Sequence, residues 1–279
     1  MTMDLYRKNN LDCSKITTRN YSTSFSLGVR VLSSRYRDGI YSIYGFVRYA
    51  DEIVDTFFDQ DQRTIFDEFR QETFKAIDRG FSINPIIDSF QLAVRKYKID
   101  RELIDAFLLS MEMDLSHEVY SSELLKKYIY GSAEVVGLMC LRVFYFNEPE
   151  KYDQLVTPAR KLGEAFQKVN FLRDARDDYN VKGRIYFKDI DFANFTEETK
   201  KQLEAEIDKD FMESMEGIRQ LKKQVRLGVY LAFCYYIHLL KEIKKARPEE
   251  ILKKRYRITN TKKSYLLVNA YLKNALNLL

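Results

Sequence analysis

Apolar residues recur three and four positions apart over long stretches of this chain, a spacing that predicts amphipathic helices. One apolar stripe of this kind comprises Ile40, Ile43, Val47, Ala50 and Val54. No stretch alternates apolar and polar residues between hairpin turns, which is the pattern of a surface strand. The sequence therefore predicts an all-α protein, with about eight to ten helices of ordinary length.

Polar interruptions divide the helical pattern into segments. These interruptions fall at residues 57–62, 82–85, 146–152, 181–184 and 246–250. Asp100 and Thr196 each precede a helical pattern, and their side chains can accept hydrogen bonds from the first N–H groups of a helix. We therefore predict that both are N-caps. Because the chain has neither a low-complexity linker nor an internal repeat, we predict one domain over residues 1–279.

The amino-acid composition supports the prediction of a helical protein and argues against several kinds of function. Only ten Gly and four Pro occur in 279 residues, and 46% of the residues are hydrophobic. The net charge of +5 is small and both signs are mixed along most of the chain, so we expect no nucleic-acid partner. The three cysteines lie far apart and form no Cys-x-x-Cys pair, which argues against a disulfide framework or a zinc site.

The N-terminus lacks the apolar core of a signal peptide. The longest uncharged run, residues 227–240, is shorter than a typical membrane-spanning helix. We therefore expect a cytoplasmic protein, and peripheral contact with the inner face of the membrane stays open. Nothing in the pattern indicates an oligomeric state.

A polar stripe runs beside the apolar stripe of residues 40–54. It consists of Tyr41, Tyr44, Arg48, Asp51 and Asp55, whose spacing of three and four places them on one face of a helix. A solvent-exposed helix has the same pattern. A single Asp-x-x-x-Asp pair is also a weak signal, because Asp55 and Asp59 form another one.

A second polar stripe occurs in a more apolar helix. Its members are Gln167, Asn170, Asp174 and Asp178, and they alternate with Phe166, Val169, Phe171 and Leu172. A helix that is hydrophobic on most sides is usually buried, so these polar groups are predicted to face inward. Two such helices facing each other would place four carboxylates across one cavity.

Four carboxylates in one cavity require counter-charge. Mg²⁺ meets this need, because it prefers oxygen ligands and commonly binds through one or two carboxylates together with substrate phosphates. The pattern thus favours a diphosphate held by magnesium between two acidic helices. The available cations are Arg48, Arg173, Arg184 and the basic run at 253–263.

Four stretches of the chain, in order, resemble the motifs of the squalene/phytoene synthase family of head-to-head prenyl transferases. They are "YSTSFSLGVRVL" (21–32), "IYGFVRYADEIVD" (43–55), "YIYGSAEVVGLM" (128–139) and "FQKVNFLRDARDDYNVKGRIYF" (166–187). The resemblance runs from about residue 14 to about residue 265 and is greatest to the bacterial phytoene synthases.

The resemblance implies an isoprenoid-synthase helical bundle around a central cavity, with prenyl diphosphates as substrates. It also implies a requirement for Mg²⁺, for which Mn²⁺ could substitute. Two prenyl diphosphates would condense to a cyclopropyl diphosphate, which then ionises and rearranges. Loss of a proton would give phytoene from two geranylgeranyl diphosphates, and no NADPH is expected for that product.

Two alternatives stay open. A sibling enzyme would use farnesyl diphosphate and make dehydrosqualene or, with NADPH, squalene. A non-catalytic relative would keep the helical fold for assembly or binding, but such a protein would be expected to lose its aspartates, and this chain retains all four.

The resemblance assigns roles residue by residue. It implies metal binding by Asp51, Asp55, Asp174, Asp178 and Asn170, and diphosphate contacts by Arg48 and Arg173. The implied substrate-binding set is Ser22, Ser24, Phe25, Tyr41, Tyr44, Tyr128, Gly137, Gln167, Asn170, Tyr186, Arg255 and Arg257.

Aromatic faces can stabilise a carbocation without attacking it, and a dry pocket protects the cation from water. The candidates for such walls are Phe25, Tyr41, Tyr44 and Phe171, of which Phe25 is the best placed. The chain departs from the family pattern at Glu52, where a second Asp is common, and at Glu134, where many relatives have Gly.

Overall fold

The computed structural model of this protein describes residues 2–116, 120–180 (177–180 by their backbone alone), 195–251 and 253–279. Within these ranges the chain forms α-helices and one π-helical segment and has no strand. The predicted all-α fold is therefore confirmed.

The described residues form thirteen α-helices, of which ten are longer than eight residues. The expected eight to ten helices correspond to these longer ones. The additional helices are the short α2, α7 and α12. The bounds are α1 Met3–Tyr21, α2 Thr23–Arg30, α3 Ser34–Asp55, α4 Gln62–Arg79, α5 Pro85–Tyr97, α6 Arg101–Met113, α7 Ser122–Ile129, α8 Val135–Tyr145, α9 Pro149–Asn180, α10 Glu197–Gln220, α11 Lys223–Lys244, α12 Pro248–Ile251 and α13 Asn260–Ala275. The π-helical segment Tyr130–Glu134 joins α7 to α8.

Local sequence explains where these helices begin and end. Thr196 is the N-cap of α10, as predicted, and its hydroxyl accepts a hydrogen bond from the backbone N–H of Thr199. Asp100 precedes α6, but its carboxylate makes no capping bond and instead accepts a hydrogen bond from Arg142 at 2.6 Å. Gly80 ends α4 in the left-handed conformation, which glycine adopts without steric cost.

The buried hydrophobic residues form three clusters, of which two are large. In the first, Phe46 of α3 stacks on Phe90 of α5 at 3.8 Å and also contacts Phe69 and Phe107. The second cluster lies among α9, α10 and α11, where Phe211 is a central residue. Burial of large aromatic side chains of this kind is the main stabilising contribution in a helical core.

The π-helical segment is packed closely between α6 and α9. A Cβ atom on Gly131 would lie 2.5 Å from the carbonyl oxygen of Ala106, and one on Gly163 would lie 2.8 Å from that of Ala133. Only glycine permits these approaches of backbone to backbone.

Glu134, one of the two departures from the family pattern, ends the π-helical segment. Its buried carboxylate accepts a hydrogen bond at 2.6 Å from Arg160 of α9. Burial raises the pKa of Glu134, although Arg160 opposes the shift. The pair thus links the π-helical segment to α9.

None of the described helices combines the length and apolarity needed to cross a bilayer. The apolar run at 227–240 lies within α11.

Candidate active site

A cavity of about 350 Å³ lies between α2, α3, α8, α9, α10 and α11. Most of its wall is apolar, with contributions from Val29, Leu32, Ile43, Phe144, Leu155 and Leu221. Its polar lining includes Tyr44 of α3, Gln167 and Asn170 of α9, and Tyr236 of α11. The cavity wall is therefore mostly apolar, and its polar groups come from α3 and α9, which carry the two acidic stripes, and from α11.

Phe25 and Tyr44 form the aromatic part of the wall. Their rings stack with centroids 4.6 Å apart. Ser22 positions this pair, because its hydroxyl caps α2 by accepting from the N–H of Phe25 and also hydrogen-bonds to Tyr44. Burial raises the pKa of Tyr44 to about 12, although Arg48 and Ser22 act to lower it. Tyr44 therefore remains a neutral phenol at physiological pH.

The acidic stripe of α3 is paired with an arginine of the same helix. Arg48 donates to Asp51 at 2.5 Å and also pairs with Glu52, the next residue along the helix. Its guanidinium lies over the ring of Tyr21, 4.4 Å from the centroid. Glu52, the other departure from the family pattern, thus holds the arginine in place. Asp55 ends the helix and is partly exposed.

The acidic stripe of α9 has partners from other parts of the chain. Asp174 lies between two arginines, because Arg173 donates to it at 2.5 Å and Arg255 approaches its other oxygen at 2.7 Å. Burial acts to lower the pKa of Arg173, but its interactions with Asp174 and Tyr236 outweigh burial and raise it. The Arg173 guanidinium therefore stays charged.

Tyr236 connects the two stripes. Its hydroxyl donates to Asn170 at 3.1 Å and its ring stacks on Phe166 at 3.9 Å. Asn170 in turn donates to Gln167. On the opposite side, both Tyr236 and Asp51 lie close enough to Tyr44 to raise its pKa. The structure thus brings Tyr44, Gln167 and Asn170 to the cavity wall, whereas the charged residues of the two stripes, Arg48, Asp51, Asp55, Arg173 and Asp174, are not among its lining residues.

The donor set suits a hard divalent cation. Asp51, Asp174 and Asn170 offer oxygen atoms, the ligand type that Mg²⁺ prefers. Within the described residues no group of three or more His, Cys, Asp and Glu side chains converges on one point. One or two carboxylates suffice for Mg²⁺ when substrate phosphates supply the remaining oxygens. The Asp178 side chain, Arg184 and Tyr186 lie outside the described residues.

Gly137 lines the cavity beside Ala159, whose carbonyl oxygen a Cβ atom would meet at 3.3 Å. Tyr128, from the same sequence motif, does not line it. The Tyr128 hydroxyl donates to the buried carboxylate of Asp114 at 2.9 Å, and its ring packs against Phe171. Tyr128 belongs to α7, and the first residue of this motif that lines the cavity is Ser132 of the π-helical segment.

Tyr41 and Phe171, which were expected to be cavity walls, are buried in the hydrophobic clusters and are not among the residues that line this cavity. On α3 the wall is made by Ile40, Ile43, Tyr44 and Val47. Since successive residues of an α-helix are rotated by about 100°, Tyr41 lies roughly 110° from the centre of that face.

Ser24 and the two C-terminal arginine candidates also lie away from the cavity wall. Ser24 is partly buried in α2 but is not among the lining residues. Arg257 lines a separate polar pocket beside Lys254 and Glu250. Arg255 and Arg257 lie in the non-helical segment between α12 and α13. Of the pair, Arg255 reaches the α9 stripe.

Sequence reasoning missed Tyr236 and Ser132. Tyr236 lies in the apolar run at 227–240, whose composition favours a core helix, and its spacing from Val229 and Ala232 by three and four was the available signal. Ser132 lines the cavity and its buried hydroxyl has no hydrogen-bond partner. No feature of the sequence indicates the π-helical segment that presents it.

Comparison with known proteins extends this description. The family model for squalene/phytoene synthase matches residues 18–262. A phytoene synthase from Arthrospira platensis is 28% identical over 258 residues, covering 84% of this chain and 83% of the relative. A 4,4'-diapophytoene synthase from Staphylococcus haemolyticus is 25% identical, covering 96% and 98%.

The fold also matches a crystal structure of a dehydrosqualene synthase in complex with ligand. The TM-score is 0.81 at 22% identity, and the match covers 96% of this chain and 98% of that chain. The chain therefore belongs to the squalene/phytoene synthase family of prenyltransferase-type synthases, which condense isoprenoids head to head.

Proposed function

We propose that this protein is a Mg²⁺-dependent phytoene synthase that joins two geranylgeranyl diphosphates through a cyclopropyl diphosphate and releases two diphosphates. The observation that carries the proposal is one cavity with an apolar body and arginine–carboxylate pairs beside its polar lining. Such a cavity suits a molecule with a long hydrocarbon tail and an anionic head.

The cations beside the cavity would act on the departing diphosphate. Arg48, Arg173 and Arg255 each lie next to an aspartate of a stripe, so they can move from carboxylate to phosphate oxygens without crossing the cavity. Bidentate guanidinium contacts suit phosphate geometry. Mg²⁺, held by Asp51, Asp174 and Asn170 when bound, would neutralise negative charge as the carbon–oxygen bond breaks.

The apolar body would protect the allylic cation. A carbon-lined wall excludes water, which would otherwise capture the cation as an alcohol. The Phe25–Tyr44 stack presents aromatic faces, which attract cations without forming a bond. Because the pKa of Tyr44 is raised to about 12, its oxygen stays protonated and is a poor nucleophile towards the cation.

Farnesyl diphosphate is the competing substrate, which would give dehydrosqualene or, with NADPH, squalene. It is supported by the 4,4'-diapophytoene synthase that resembles this chain over nearly its whole length. The relatives thus support both substrate lengths, and the product must be measured.

The test is product identification. The purified protein is incubated with Mg²⁺ and either geranylgeranyl or farnesyl diphosphate, with and without NADPH, and the extracted hydrocarbon is analysed by chromatography and mass spectrometry. A C40 product that is independent of NADPH is expected. A C30 product would transfer the assignment to farnesyl diphosphate, and NADPH dependence would then separate squalene from dehydrosqualene. No product from either substrate would favour the non-catalytic alternative.

A matched pair of variants tests the site itself. Asp51→Asn should abolish nearly all turnover while circular dichroism shows a folded protein. Asp59→Asn makes the same change in the exposed turn after α3 and should leave turnover unchanged. Equal activity of the two variants would reject the assignment of Asp51.

A further inference from the structure

Helix α13 carries an apolar stripe on its outer face. Tyr265, Val268, Leu272 and Leu276 are spaced by three, four and four, and each is more than half exposed. Tyr271, also exposed, widens the stripe. Residues three and four apart share a helix face, so these side chains form one continuous surface that no described residue covers.

The opposite face of α13 is held firmly by the protein. Ala270 is buried against α11. The buried Arg226 of α11 donates to Asn274 at 2.8 Å and to Asn277 at 3.0 Å. The stripe is therefore a fixed part of the fold, and its exposure does not come from a detached helix.

The same end of the chain contains the whole net positive charge of the protein. Residues 251–279 contain seven Lys and Arg residues and no Asp or Glu, which leaves 39 basic against 41 acidic residues in positions 1–250. The basic residues lie beside the apolar stripe at both ends, with Lys262 in the first turn of α13 and the exposed Lys273 in its last. An exposed apolar helix face bordered by lysines is the pattern of a helix that lies in a membrane interface.

The stripe also lies near the cavity. Lys263 of α13 hydrogen-bonds to the hydroxyl of Thr23 at 2.5 Å, in the first turn of α2. Two residues later, Phe25 lines the cavity wall. A surface held by α13 would therefore be adjacent to the α2 segment of the wall.

We propose that the outer face of α13 docks the protein on an anionic phospholipid bilayer, with the apolar stripe in the headgroup–acyl boundary and Lys262 and Lys273 on lipid phosphates. Charge complementarity selects this partner, because the segment has cations and no anions of its own. The inference goes beyond the proposed function and does not depend on which substrate the protein uses.

The test is sedimentation of the full chain with vesicles of phosphatidylglycerol and phosphatidylcholine, compared with vesicles of phosphatidylcholine alone. Binding to the anionic vesicles is expected, with loss as salt increases. Val268→Asp with Leu272→Asp should weaken binding by about tenfold or more, since each places a charge where the stripe meets lipid. The control is Ile83→Asp, at an exposed apolar position before α5, which should bind as the unmodified protein does.

Removing charge tests the electrostatic part. Lys262→Gln and Lys273→Gln, at the two ends of the stripe, avoid the proposed active site and should each weaken binding by about fivefold. Because the chain contains no tryptophan, Tyr271→Trp provides a single fluorescent probe, and its emission should shift to shorter wavelength on anionic vesicles. Ile83→Trp should show no shift.

Three results would overturn the proposal: no binding at low salt, equal binding to both vesicle types, or equal binding by the stripe variant and the Ile83→Asp control. A dimer in solution that the stripe variant dissociates would assign the surface to a second copy of the chain instead. None of these results bears on product formation without lipid, so the proposed function is tested separately.

Discussion

On α3, one arginine pairs with two carboxylates about one turn further along the same helix, since Arg48 contacts Asp51 and Glu52. On α9, Asp174 requires Arg173 from its own helix and Arg255 from the segment between α12 and α13. Both stripes are spaced by three and four residues, and the arginines that contact Asp51 and Asp174 come from different parts of the chain. The pairs that Arg48 makes can form as soon as α3 forms, whereas the pair between Asp174 and Arg255 forms only after the C-terminal segment has packed against α9.

The largest expected effect concerns activity and should be the same for both stripes. Asp51→Asn and Asp174→Asn should each lower the rate of product formation by about 10³-fold, because each removes a negatively charged ligand from the proposed metal site. Single-turnover assays with saturating Mg²⁺ measure this rate. If one variant retained more than about a tenth of the rate, that stripe would not take part in metal binding.

The second prediction is that replacing the aspartate of each stripe lowers the free energy of unfolding by different amounts. The Arg173 and Asp174 side chains are only 25% and 20% exposed, so Asp174→Asn leaves a largely buried cation without full compensation and should cost about 2 kcal/mol. Asp51→Asn should cost less than about 0.5 kcal/mol, since Arg48 keeps Glu52. Urea denaturation without Mg²⁺ gives both free energies of unfolding. Equal losses would show that the two stripes do not differ in this way.

The third prediction concerns the distant cation. Arg255→Gln should lower kcat/KM by about tenfold, the loss expected for one hydrogen bond between charged groups. Arg257→Gln is the matched control, and its kcat/KM should change by less than about twofold because Arg257 lines the separate polar pocket. Steady-state kinetics with the established substrate measures both. A larger effect of Arg257→Gln would reverse the assignment of the two arginines.

The smallest expected effect is that of Tyr128→Phe, away from both stripes. The change removes the hydrogen bond to the buried Asp114 and should cost about 1 kcal/mol of unfolding free energy, with no change in product or rate. A changed hydrocarbon product would instead return Tyr128 to the substrate pocket.

The parts of the site that depend on local geometry were predictable from the sequence. An α-helix has 3.6 residues per turn, so residues three and four positions apart lie on one face. Both polar faces can therefore be recognised from residue positions alone: Tyr44, Arg48 and Asp51 on α3, and Gln167, Asn170 and Asp174 on α9. The separation into helices was also predictable, because caps and polar breaks are local signals.

The remaining features depend on contacts between distant segments. Arg255 was a candidate only through the family resemblance, and no spacing rule connects it to Asp174. Tyr236 has the sequence surroundings of a core aromatic, and only its contact with Asn170 distinguishes it. Tyr41 continues the polar stripe in the sequence, yet the neighbouring helices make the wall on the side of Ile40 and Ile43. Periodicity defines a face, and only packing decides what that face meets.

The π-helical segment Tyr130–Glu134 has a consequence for how this cavity can change in evolution. A π turn holds one residue more than an α turn, so it sets the rotation of everything that follows. Deleting a single residue there would rotate α8 by about 100° and exchange Gly137 and Cys140 in the wall for other side chains. Two homologues with the same residues in α8 could therefore enclose cavities of different shape. At this point, the number of residues in the π-helical segment determines which side chains of α8 line the cavity.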